Sequence, residues 1–107
     1  MSLIKVIQPG GVFDGTQTSE FRRNINDSID AGAEVILVDL QDVTFMDSSG
    51  LGALVVALKT VRAKGGKLVL CSVNDQVKML FELTSMETVF KIFADRKSFE
   101  KSALSAS

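Results

Sequence analysis

The first apolar stretch, Leu3-Ile4-Lys5-Val6-Ile7, has the composition of a strand. Pro9-Gly10-Gly11 marks a turn, and Gly11-Val12-Phe13 can return as a second, short strand. The two together read as an N-terminal hairpin. Phe21, Ile25 and Ile29 then recur at a spacing of four, with Arg22, Arg23, Asn26 and Asp27 between them. That pattern predicts an amphipathic helix of about 14 residues. Thr18 is placed to cap it, Glu20 sits in the acid-favouring first turn, and Gly32 suits its end.

Val35-Ile36-Leu37-Val38 is apolar without a break and ends at Asp39. A strand with no polar face is one covered on both sides. Val43-Thr44-Phe45-Met46 follows and leads into Asp47-Ser48-Ser49-Gly50. Leu51, Leu54, Val55, Leu58 and Val61 then take helical spacing, with Lys59, Arg62 and Lys64 near the negative end of the dipole and Gly65-Gly66 as the stop. Lys67-Leu68-Val69-Leu70-Cys71 predicts another strand. Asn74 is placed to cap a third helix bearing Val77, Leu80, Phe81 and Thr84. Val89-Phe90-Lys91-Ile92-Phe93 is a last strand candidate, and Asp95 can cap a short helix with Phe99 and Ala103.

The resulting order, β-β-α-β-α-β-α-β-α, predicts an α/β fold with a mixed, mostly parallel sheet, an N-terminal hairpin and about four helices. Residues 1–107 are expected to form one domain, with 102–107 a flexible tail. In such sheets functional loops lie beyond the carboxyl ends of the strands, and the Asp47 loop is a strand-to-helix connection of that kind.

Charge and composition mostly remove possibilities. A formal net charge of -1 argues against nucleic acid as a partner and supplies no basic patch for an anionic membrane. The apolar runs are far shorter than a membrane span, and the first residues lack the pattern of a signal peptide, so a cytoplasmic location is expected. Cys71 is the lone cysteine, so neither an intrachain disulfide nor a cysteine metal cluster is expected; within Leu68-Val69-Leu70-Cys71 it reads as a small buried hydrophobe. The chain has no histidine. That excludes Ser-His-Asp and Cys-His catalysis and every histidine-containing zinc site.

Ser49 is not in a Gly-x-Ser-x-Gly elbow, and Lys59 and Lys64 lie at the far end of its helix, which leaves a Ser-Lys hydrolase without a placed base. Gly50-x-Gly52 lacks dinucleotide-loop spacing, and no Walker sequence occurs. The expectation is a protein that is not an enzyme, with no catalytic residue, cofactor or metal.

Asp47-Ser48-Ser49 before an apolar-periodic segment is a common N-cap cluster. Gly50 and Gly52 are poor helix residues, which capping does not explain, and read as positions where a partner's backbone approaches. Phe45 and Met46 flank the loop and carry two readings of equal weight, contact with a partner or a place in the core for at least one of them.

Val35-Ile36-Leu37-Val38-Asp39-Leu40, then Val43 to Gly52, then Gly65-Gly66-Lys67-Leu68, resembles the STAS domain, and more closely the bacterial anti-sigma factor antagonists. The Asp-x-Ser-Gly element between a buried strand and an amphipathic helix is the specific part. The resemblance implies that Ser49, directly before Gly50, is phosphorylated by the anti-sigma factor, itself an ATP-dependent serine kinase. It implies that the unphosphorylated protein captures that factor and frees the sigma factor, and that a metal-dependent serine phosphatase reverses the change. Asp47 matches the family's acidic position, and Ser48 the variable one, a cap or a spacer. The expected switch loop is therefore Asp47, Ser48, Ser49, Gly50, Leu51 and Gly52. The alternative carried by the same resemblance is a scaffold or subunit of a stress-signalling or transport complex, without control by phosphorylation.

Overall fold

A computed structural model describes residues 3–106, with side chains through Ala103. The elements are β1 (Ile4–Ile7), β2 (Gly11–Phe13), α1 (Thr18–Asp30), β3 (Val35–Asp39), β4 (Val43–Met46), α2 (Ser48–Ala63), β5 (Lys67–Cys71), α3 (Asp75–Leu83), β6 (Lys91–Phe93) and α4 (Arg96–Ala106). Four strands form a sheet in the order β1-β3-β5-β6, every neighbour parallel. The α/β class, the largely parallel sheet and the four helices are as the sequence predicts.

The central strands explain the unbroken apolar run. Ile36 and Val38 on one face of β3 enter the main core with Leu68 and Leu70 of β5, under Phe21 and Ile25 of α1, Leu54, Leu58 and Val61 of α2, and Val77 and Phe81 of α3. Leu37 on the opposite face packs with Val69, Cys71 and Phe99, beneath α4. Both faces are covered, so neither carries a polar stripe. Burial of the sulfur pushes the Cys71 thiol up from its ordinary 9.0 to about 11.

The N-terminal hairpin is not formed. β1 pairs with β3 in parallel, and β2 pairs with β4, also in parallel, as a separate two-stranded sheet. The turn at Pro9-Gly10-Gly11 therefore carries the chain from one sheet to another instead of folding it back. Gly11 takes φ +68°, and its N–H donates to the Asp42 carbonyl at 2.9 Å. The Gln17 amide donates to the carbonyls of both Gly10 and Val12, using groups a hairpin ladder would need. The gain lies in Phe13, which is fully buried and meets Phe21 edge-on at 5.1 Å.

Local boundaries also differ. Val43–Met46 is a strand in its own right, an element absent from the predicted order. Gln17, in the position before α1, makes no side-chain cap bond, and Thr18 is the first helical residue and not the cap. Asn74 caps α3 as expected, its Oδ1 accepting from Val77 N–H at 2.9 Å. The Asp95 carboxylate accepts from Ser98 N–H at 2.7 Å, which holds that carboxyl below its ordinary range. The last strand is shorter than the apolar run suggests, beginning only at Lys91. Of the expected tail, residues 102–106 belong to α4, and Ser107 lies outside the described residues. No helix among the described residues is long and apolar enough to cross a membrane.

At the carboxyl ends of the central strands, Asp39 is buried and paired with Arg96 at 3.0 Å. Arg96 also donates to Gln8, which in turn donates to Asp42. This chain of bonds ties α4 and the start of the β1–β2 connection to the loop that leads into β4.

Candidate functional site

The β4–α2 junction is where the Asp47 loop lies. β4 is fixed along both edges. On one side it pairs with β2, in the register Val12 with Phe45 and Phe13 with Met46. On the other, α3 supplies side chains in place of a strand. The Gln76 amide bonds the Met46 peptide groups twice, accepting from N–H and donating to C=O, each at 2.8 Å. Asn74 donates to the Val43 carbonyl at 2.9 Å. Alternation then puts Met46 wholly inside and leaves Phe45 47% exposed beside Val12, also 47% exposed. Of the two readings of the residues flanking the loop, the structure bears out a core place for one, Met46, and leaves Phe45 on the surface.

The chain turns from strand to helix at Asp47, whose backbone is extended. Its Oδ1 accepts from Gly50 N–H at 3.0 Å, and its carbonyl accepts from Leu51 N–H at 3.0 Å. Asp47 is thus the N-cap, which corrects the assignment of a capping role to Ser48. Ser48 is the first helical residue and exposed. A carboxylate at this place satisfies an otherwise free N–H and meets the positive end of the helix dipole.

Gly50 is buried. A Cβ there would stand 2.1 Å from the Phe13 carbonyl oxygen and 2.8 Å from the Phe13 ring. The backbone that comes close to Gly50 is the protein's own β2, not a partner's, and this overturns the reading made from sequence. Gly52 differs: it is exposed, and a Cβ there would meet nothing within 4 Å. Leu51 points inward and is buried.

Ser49 stands between these anchors and is exposed. The cap on one side and the buried Gly50 on the other fix its backbone, while its hydroxyl reaches solvent. Gly15, in the loop after β2, passes close enough that a Cβ on it would lie 3.9 Å from the Ser49 oxygen. In the same loop Thr16 donates to Asp14 through its hydroxyl and its N–H, which holds that exposed carboxyl below its ordinary value. From Ser49 a groove of about 360 Å³ runs between α1 and α2, lined on one wall by Thr18, Phe21 and Arg22 and on the other by Ala53 and Val56.

All six loop residues expected from sequence therefore share one place, but they divide by role. Asp47, Gly50 and Leu51 build the junction. Ser48, Ser49 and Gly52 are presented on it. Gln76 was missed, because its bond to Met46 joins residues 30 positions apart and leaves no local signature. Asn74 was legible only as a cap, and its second bond, to β4, was not.

Chemically, the site offers a fixed, exposed hydroxyl at a helix start. Among the described residues no group of three or more His, Cys, Asp or Glu side chains is arranged to hold a metal ion.

The anti-sigma-B factor antagonist of Listeria monocytogenes is 40% identical over 58 residues, which cover 54% of this chain and 51% of that protein. The match thus spans about half the length of that relative. The anti-sigma F factor antagonist of Paenibacillus polymyxa is 28% identical over 91 residues, 84% of this chain and 78% of that protein. In fold, the chain superposes on the anti-sigma factor antagonist SpoIIAA in its unphosphorylated form with a TM-score of 0.78, covering 96% of this chain and 90% of that one at 19% identity. The family description that matches is the STAS domain, over residues 2–99, nearly the whole length of the chain. With its parallel sheet, its capped strand-to-helix junction and that match, the chain belongs to the STAS domain family.

Proposed function

We propose that this protein is an anti-sigma factor antagonist acting in the cytoplasm, switched off by phosphorylation of Ser49. In its unphosphorylated form it binds an anti-sigma factor that is itself a serine kinase, and so releases the sigma factor. The observation that carries this reading is the exposed Ser49 hydroxyl on a rigidly held helix start. The relatives named as anti-sigma factor antagonists support the same role.

The chemistry belongs to the partner. The Ser49 oxygen forms a bond to the γ-phosphorus of ATP held by the kinase, the bond to ADP breaks, and the serine proton passes to a base on the kinase. A serine phosphatase later hydrolyses the ester. This chain contributes position: with Asp47 and Gly50 fixed, the hydroxyl is presented without the entropic cost of ordering a loop.

The switch acts at the interface and not on the fold. Phosphate adds a charge of roughly -1.5 to -2. At a helix start the dipole favours that charge by about 0.3–1 kcal/mol, so the domain stays folded. In a partner interface the same charge stands beside Asp47 and must lose water, and like-charge placement there costs several kcal/mol.

Incubation with the cognate kinase and ATP, followed by mass spectrometric mapping, tests the assignment. Phosphate on Ser49, and none on the Ser49→Ala variant, is the expected result. Phosphate elsewhere, or none, refutes it. Ser49→Ala is expected to bind the kinase as the wild type does, and Ser49→Asp about 100-fold more weakly, measured by calorimetry; equal affinities refute the charge mechanism. A stable large assembly on size-exclusion chromatography without any kinase is the result that favours the scaffold role instead.

A further inference from the structure

We propose that Arg22 receives the phosphate of phosphorylated Ser49, forming an ion pair within the chain across the mouth of the groove between α1 and α2. This rests on Ser49 being the modified residue. Ser49 and Arg22 line the same groove, on opposite walls. The two helices begin at the same end of it: Gly15, just before α1, lies against Ser49, and the Thr18 hydroxyl at the start of α1 bonds back to the Gly15 carbonyl at 3.0 Å. Arg22 is one turn further along α1, about 6 Å in axial rise from Thr18. That offset is within the span of an arginine side chain.

Arg22 is the one charged residue among those lining the groove. It is exposed, and the ion pair found among the described residues, Arg96 with Asp39, does not involve it. Among the described residues no acid is paired with it. The acids nearest Ser49 in sequence and loop are engaged locally, Asp47 with Gly50 N–H and Asp14 with Thr16. Both are repulsive to a phosphate, which leaves Arg22 as the compensating group on this side. Across the groove, Ala53 is small and leaves the space open. A guanidinium matches two phosphate oxygens at once, which an ammonium does not. Arg23, the next residue, is absent from the groove lining and serves as the internal control. The ion pair gives the modification a structural consequence: the phosphorylated form carries a bridge over the groove mouth as well as a charge.

The test installs phosphoserine at position 49 during translation, so that it does not depend on any kinase. Phosphorus NMR then follows the second ionisation of the phosphate, which lies near pH 6 for an unperturbed ester. Among the described residues, the charged groups placed near it are Asp47, two positions before it, Asp14, in the loop that passes against it, and Arg22, in the groove lining. The wild-type midpoint is expected about half a pH unit below that of Arg22→Gln, a modest offset because the pair is exposed. Arg22→Lys retains part of the offset, Arg23→Gln retains all of it, and high salt shrinks it. Equal midpoints in the wild type and Arg22→Gln, or an equal loss in Arg23→Gln, overturn the proposal. If kinase mapping places the phosphate elsewhere while the offset holds, the modification reading fails and the ion pair stands; the reverse combination separates them the other way.

Discussion

The two glycines of the junction make a paired test, because the structure assigns them opposite signs. Gly50→Ala puts a methyl group 2.1 Å from the Phe13 carbonyl oxygen, a distance no Cβ tolerates, with the Phe13 ring at 2.8 Å and Met46 Cγ at 3.0 Å. The nearest atom is backbone, so a side-chain rotation cannot relieve the clash. The start of α2 must move away from β2, in a place where Phe13 and Met46 are fully buried. Overpacking of this kind costs about 1–3 kcal/mol, and contact with backbone places Gly50→Ala near the top, about 3 kcal/mol. The better helix propensity of alanine returns less than 1 kcal/mol at the helix start.

Gly52→Ala meets open space and is expected to stabilise by about 0.5 kcal/mol. Urea denaturation with a shared slope gives both values from the midpoints. In thermal melts about 4–8 °C accompanies each kcal/mol in a domain of this size. If Gly50→Ala lies within about 0.5 kcal/mol of the wild type, the close packing of α2 on β2 is refuted, and with it the account of how Ser49 is held rigid.

Two further outcomes concern the α3 clamp on β4 and the core beneath α4. Gln76→Ala strips both partners from the Met46 peptide groups and is expected to cost about 2 kcal/mol, with faster hydrogen exchange at the Met46 amide; unchanged exchange there counts against the α3 clamp. Cys71, with its thiol pushed up to about 11 by burial, is expected to resist a thiol reagent at pH 8 and to react on unfolding; because the unfolded thiol ionises first, stability falls as pH rises from about 9 toward about 11, and Cys71→Ala removes that dependence.

Periodicity carried most of the architecture. A spacing of four in Phe21, Ile25 and Ile29, and an unbroken run from Val35 to Val38, each state which faces of an element are buried, and burial is what α1 and β3 obey. The capped start of α2 was legible for a similar reason, since capping chemistry acts over three residues, while Ser49 within it was singled out by the family resemblance. Strand pairing was not, because the turn at Pro9 is equally compatible with a return and with a crossing to another sheet. The burial of Phe13 against Phe21 and Gly50 decided between them.

The site divides in the same way. Its hydroxyl, its acid and its glycines could be named from Asp47 to Gly52 alone, but their roles depend on atoms far away in sequence. Gly50 is a packing residue because Phe13 lies on it, and β4 is held because Gln76, 30 positions on, lies beside it. Asp39 is paired because Arg96, 57 positions on, reaches it. Local sequence specifies which way a side chain faces; what it then meets is set by non-local packing, and only the folded chain shows it.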